Sequence, residues 1–195
     1  MNPSRLDAGP DSKEAIRAAL DALHAESVAY WATFSTAAFL AALGDAWSPA
    51  DNVRHLTKSM RAVTRGLQLP TFVVRLSFGG ASGESRSYAD ICDLYRRALT
   101  PGVTAGGFAP DPRGAPSDPE AERVRVMEYH ATALREFGAT LDRWSERQLD
   151  RCRLPHPLLG PLTVREMLFF TLYHNRHHVD GVKRRLEARR DHDSS

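Results

Sequence analysis

Helical spacing between start signals is the feature that most restricts the fold of this chain. After the pair Ser48-Pro49, Val53, Leu56, Met60, Val63 and Leu67 recur at three- and four-residue steps. That spacing lays apolar side chains along one face of a helix. Proline suits the first helical position, because the N–H it lacks would have no intrahelical partner there. The same grammar returns elsewhere. Asp11 with Glu14, or Ser12 as cap, opens a helix to about Ala32 with Ile16, Leu20, Leu23 and Ser27 in its stripe. Ser117 with Glu120, or Asp118 before Pro119, starts another over about 119–145, with Val124, Met127, Leu134, Phe137, Leu141 and Trp144. Thr163 and Glu166 form a capping box for a last helix over about 164–189, and Leu162 can staple onto Met167. TAAFLAAL (36–43), ending at Gly44, and SYADICDLYRRAL (87–99) read as short helices. TFVVRLSF (71–78) is either a strand or a buried helical turn, since periodicity cannot separate the two. The Pro- and Gly-rich stretch 101–119 reads as a long loop, of the kind that often forms a lid or site wall. With strand alternation absent, the expected fold is all-α, an up-and-down four-helix bundle with short extra helices and a long loop.

At 195 residues the chain is long enough for one domain with a substantial core. The expected division is a flexible tail over 1–11, one helical-bundle domain over 12–189 and a polar tail over 190–195. A formal charge of +2 is too small to argue for nucleic acid. The basic run VKRRLEARR (182–190) reads as a solvated helix end, and no groove-reading or stacking pattern accompanies it. Cys92 and Cys152 lie far apart and form no CxxC unit, so a reducing compartment is the simpler expectation. The first residues lack the apolar stretch of a signal peptide, and no run of 18 apolar residues is present. A soluble, cytoplasmic protein without membrane partners is expected.

The closing stretch TLYHNRHHVD (171–180) carries three histidines in five positions. On a helix, His174 and His178 fall about 40° apart and share the apolar arc of Met167, Val164 and Val182. His177 falls on the border of that arc. Two imidazoles one turn apart on an inward face suit a first-row metal such as Zn²⁺ or Ni²⁺. The plainer alternative is a pair of hydrogen-bonded core histidines. Asn175 follows His174 where a zincin motif would have its glutamate, which excludes that motif in its usual form. His55 is the best third ligand, but its wheel position is at the edge of its helix's buried face, where an ordinary surface histidine would also sit. His24 and His130 have no matching partners and read as structural or exposed. His156 reads as a turn residue, His192 as part of a polar tail, and Trp31 and Trp144 as core. Phe169 and Phe170 fall off the core face of the last helix, where they could form a dimer contact.

WSPADNVRHL (47–56) resembles the entry to the second helix of DinB/YfiT-like metal-binding proteins, a tryptophan-led cap followed by a ligand histidine. HPLLGPLTVREMLFFTLYHNRHHVDGV (156–182) is similar to that family's closing segment, a P-x-x-G-x-L-T turn before a helix with H-x-x-x-H. The middle stretch LPTFVVRLSFG and SRSYADICDLYRRAL resembles one branch of it, and the likeness covers most of residues 12–188. The resemblance implies a DinB-like four-helix bundle, often a homodimer, with one divalent metal on three histidines. Its ligand positions fall on His55, His174 and His178. One departure is Gly181, where the family often carries glutamine three residues beyond the last ligand.

Some relatives of this kind transfer low-molecular-weight thiols, so the resemblance implies a metal-dependent thiol S-transferase or hydrolase-like enzyme acting on a small electrophile. Zinc or nickel is the expected metal, with manganese or iron as further options, and a low-molecular-weight thiol the expected cosubstrate. No general base stands out. Asp51 and Asn52 near His55, and Tyr173 and Asn175 near the pair, are candidates for orienting the rings. The competing reading is a non-catalytic metal- or ligand-binding bundle used in stress response or sensing.

Overall fold

The computed structural model describes residues 9–112 and 114–193; most of the expected N-terminal tail lies outside the described residues. Four long helices form the bundle: α1 (Lys13–Ala32), α3 (Pro49–Gln68), α6 (Pro119–Thr140) and α8 (Val164–Asp193). α6 packs on both α1 and α3, and α8 closes the ring by packing on the same two helices. Shorter helices fill the edges: α2 (Thr36–Leu40), α4 (Thr71–Phe78), α5 (Tyr88–Ala98) and α7 (Glu146–Arg151). Among the described residues, no helix is long and apolar enough to cross a membrane.

The helix starts follow from their caps. Ser12, Ser48 and Asp118 each accept a hydrogen bond from the backbone N–H three residues on, satisfying a donor that the helix leaves unpaired. At α8, Thr163 Oγ1 accepts from Glu166 N at 3.2 Å while Glu166 Oε2 accepts from Thr163 N at 2.9 Å. That reciprocal pair is the expected capping box.

Two apolar clusters make up most of the core. One gathers Ile16, Leu20, Leu67, Phe137, Trp144, Leu162 and Met167. The other gathers Trp31, Phe39, Val53, Leu56, Val126 and Val182. Trp144 also donates its indole N–H to Leu67 O at 3.1 Å, tying the end of α3 to the chain beyond α6. The buried face of α6 carries Val126, His130, Ala133, Leu134 and Phe137; Val124, assigned to the stripe from spacing, is 44% exposed.

Several elements depart from the sequence expectation. Residues 71–78 are helical, ended by Gly79 at φ 80°, a left-handed conformation that glycine adopts without strain. α2 stops at Leu40, and α6 gives way at Thr140 to a 3-10 turn over Leu141–Arg143. α8 continues to Asp193, into the stretch expected as a polar tail. No strand was expected over 153–163, yet β1 (Arg153–His156) and β2 (Gly160–Thr163) pair antiparallel as a small hairpin. Pro155 faces Pro161 across it, a placement tolerated because a two-stranded ribbon is all edge. His156 is indeed the turn residue: its Nδ1 accepts from Leu158 N and Leu159 N.

Phe169 and Phe170 are buried within the chain, at 2% and 6% exposure, and are not surface residues awaiting a second subunit. α5 covers them, with Tyr88 edge-on to Phe169 and Tyr95 edge-on to Phe170. A wheel assigns one buried face to a helix. The first half of α8 is covered on both sides, by the bundle and by α5.

Candidate metal centre

α3 and α8 cross with their histidines facing one another. His55 comes from the middle of α3, and His174 and His178 from successive turns of α8. Their Nε2 atoms converge: His174 Nε2 lies 3.1 Å from His55 Nε2 and 3.1 Å from His178 Nε2. Among the described residues these three form the group whose ligand atoms all fall within 4.8 Å of one another. The site lies along α8 between Leu172 of the first core cluster and Val182 of the second.

On two of the rings, His55 and His178, the opposite nitrogen is fixed by a hydrogen bond. His178 Nδ1 donates to Asn52 Oδ1 at 2.7 Å, and Asn52 is itself held by donating from Nδ2 to Ser48 O at 2.9 Å. His55 Nδ1 donates to the backbone carbonyl of Phe108 at 2.8 Å. Phe108 belongs to a 3-10 turn, Gly106–Phe108, inside the long loop. A proton on Nδ1 leaves Nε2 of each ring as a lone pair directed at the centre.

This arrangement tests whether the residues fit a cation. Two lone pairs, from His55 and His178, face His174 Nε2, which carries at most one proton and can satisfy only one of them. A divalent ion at the point of convergence satisfies all three. Ligand nitrogens on a tetrahedral ion with bonds of about 2.0–2.1 Å lie roughly 3.3 Å apart, close to the two 3.1 Å separations about His174. Burial keeps the rings neutral as ligands must be. Desolvation pushes His174 and His178 well below the usual histidine range, and the neighbouring histidines push in the same direction. Desolvation also lowers His55, against the opposing effect of its bond to Phe108.

Aromatic rings enclose the centre. Phe170 stacks on His174 with centroids 4.9 Å apart, and Tyr95 meets the same ring edge-on. Trp47 stacks parallel to His178 and lies tilted 5.1 Å from His55. Trp47 also lines a groove of about 820 Å³ bounded by Asp51, Arg54 and Glu122 and by residues of the long loop. His55 and His174 are buried, and His178 is the partly exposed member.

His55, placed at the edge of a buried face by its wheel position, is 5% exposed. α8 covers one side of that edge and the Phe108 turn meets the other. Of the four residues considered for orienting the rings, Asn52 does so, for His178 rather than for its neighbour His55. Asp51 instead caps with Ser48 and pairs with Arg54. Tyr173 touches the His177 ring, and Asn175 donates to Thr171 O on its own helix. His177 stays outside the triad, between Tyr95 and Tyr173. The Phe108 carbonyl had no signal in the sequence, because any residue supplies a carbonyl. Trp47 did have one, as the aromatic just before the Ser48 cap.

His130 is a separate, structural case. It is fully buried in α6, with Nδ1 2.9 Å from Thr57 Oγ1 and Nε2 3.0 Å from Ser27 Oγ. Thr57 gives its hydroxyl proton to Val53 O. His130 Nδ1 must therefore donate to Thr57, and Nε2 must accept from Ser27. Desolvation holds its pKa down to about 4, with a smaller push from His24.

An all-α helical bundle with three converging imidazoles defines a class, bundles built around a histidine centre suited to one divalent ion. A family model described as the DinB superfamily matches residues 19–180, and the chain belongs to that superfamily. No curated protein and no solved structure matches the chain significantly. At the family's usual glutamine position, Gly181 is buried and its carbonyl accepts from Arg185 Nη1 at 3.0 Å.

Proposed function

We propose that the chain is a metal-dependent enzyme that uses a divalent ion on His55, His174 and His178 to activate a low-molecular-weight thiol, or water, for attack on a small electrophile. The observation that carries this reading is the convergence of three Nε2 atoms, with the Nδ1 of two of the rings, His55 and His178, already engaged. Three protein ligands leave an ion open to a further one, as in catalytic rather than structural sites. An ion bound there would supply Lewis acidity that favours the thiolate or hydroxide form at neutral pH. Zinc or nickel fits an all-imidazole set best.

The remaining work falls to the chain's own residues. Asn52 and the Phe108 carbonyl hold two ligand rings in one tautomer and orientation. Phe170 and Tyr95 cover the His174 ring, and Trp47 covers one face of the His178 ring. The homodimer implied by the family belongs to the same proposal, and sedimentation equilibrium at micromolar concentration tests it.

The activity is tested by loading the protein with zinc or nickel and following conjugation of a small electrophile with a panel of thiols. Turnover with one thiol, abolished in His178→Ala, supports transferase function. Full metal loading without turnover by any thiol or by water overturns it and leaves a metal-binding bundle.

A further inference from the structure

On the side of α8 away from the histidines, a groove of about 1030 Å³ runs between α8 and α1. Its α1 wall is made hollow by alanines. Ala15, Ala18 and Ala22 line it at steps of three and four residues, so one helix face carries methyl groups where larger apolar residues would fill the space. The volume is that of a site for a small organic molecule.

Alanines alone do not make a site, but the floor of this groove holds an unsatisfied group. Asn175, from α8, lines the groove and is 1% exposed. Its Nδ2 donates to Thr171 O, while Oδ1 is buried without any partner. A buried acceptor left unpaired is costly, and few are found in folded proteins. Tyr30, further along the same groove, has a buried hydroxyl that is likewise without a partner. Apolar walls come from Leu172 and Val179. The charged rim is of mixed sign, with Arg176 and Lys183 against Asp11, Glu26 and Asp180.

We propose that this groove binds a neutral amphipathic small molecule with a hydrocarbon body and a carboxamide. The hydrocarbon lies along the alanine face. The amide N–H donates to Asn175 Oδ1. Rim charges of both signs oppose a cation and an anion alike and favour a neutral ligand, and a donor is required because the Asn175 end that is free is an acceptor. The site is independent of the metal centre, so the full chain should bind in the presence of a chelator.

The probes are N-octylacetamide and octyl acetate, which differ by replacement of the amide N–H with oxygen. Titrations are followed by ¹⁵N–¹H chemical shifts, with EDTA present. The expected result is saturable binding of the amide at least about fivefold tighter than the ester, the factor for one buried hydrogen bond. Asn175→Leu should erase that preference while leaving ester affinity within about twofold. Ala22→Phe, an exposed position, should fill the groove and weaken both probes at least about tenfold; Ala18→Leu serves if that variant does not fold. Absent saturable binding, equal affinity for amide and ester, or binding unchanged in the groove-filling variants would overturn the proposal. So would a wild-type dimer that Ala22→Phe converts to monomer, which would make the groove a subunit interface.

Discussion

In the proposed metal centre, Asn52 is the residue that orients His178. Its carbonyl oxygen holds the Nδ1 proton at 2.7 Å, and groups in that role typically carry one to two orders of magnitude in metal affinity. Asn52→Ala should weaken zinc binding by about 10- to 100-fold in competition with a chelator of known affinity, without loss of helical circular dichroism. Unchanged affinity would mean that the ring is oriented by something else. His130 makes a different prediction, about pH. Its folded pKa, about 4, lies below the ordinary 6.5, so the folded state resists a proton that the unfolded chain accepts. Stability from this group is therefore whole above pH 6.5 and falls as the pH drops toward 4, by about 1.4 kcal/mol per unit. Between pH 7 and 5 in chelator, urea titrations should show wild type losing about 2 kcal/mol more than His130→Gln. Equal losses would place the titration elsewhere.

At the scale of elements, the start of α8 bears the most on the site, because both α8 ligands depend on where that helix begins. Glu166 closes the capping box and also accepts from Arg86 through N, Nε and Nη2 at 2.9, 2.9 and 3.1 Å, with its side chain 6% exposed. Glu166→Ala removes the Glu166 half of the capping box and leaves Arg86 without its carboxylate partner. The expected cost is about 2–4 kcal/mol in urea unfolding, with Glu166→Gln costing less because it keeps a cap acceptor. Parity between the two variants would contradict the capping part of this account. The cap itself was readable from Thr163 and Glu166, since caps are local and involve residues three apart. The Arg86 partner was not readable, because it comes from a segment 80 residues away. The 153–163 hairpin escaped for a related reason: two four-residue strands, each with a proline, carry too little alternation to register.

For the whole molecule, the bundle was legible because its four long helices each announce themselves through caps and a 3.6-residue period. The pairing of His174 with His178 was equally legible, since one helix fixes both. His55 was legible in part: spacing put it at an edge, and family resemblance assigned it as a ligand. What buries it is tertiary, α8 on one side and the loop carbonyl of Phe108 on the other. Phe169 and Phe170 were misread because the wheel of α8 could not know that α5 covers its second face. The central claim is that one divalent ion is held jointly by α3 and α8. It is tested most directly by the metal content of purified, zinc-loaded protein, measured by elemental analysis beside His55→Ala and His174→Ala. The account predicts about one ion per wild-type chain and a loss of at least tenfold in occupancy in each folded variant. Stoichiometric metal retained equally by both variants would contradict it.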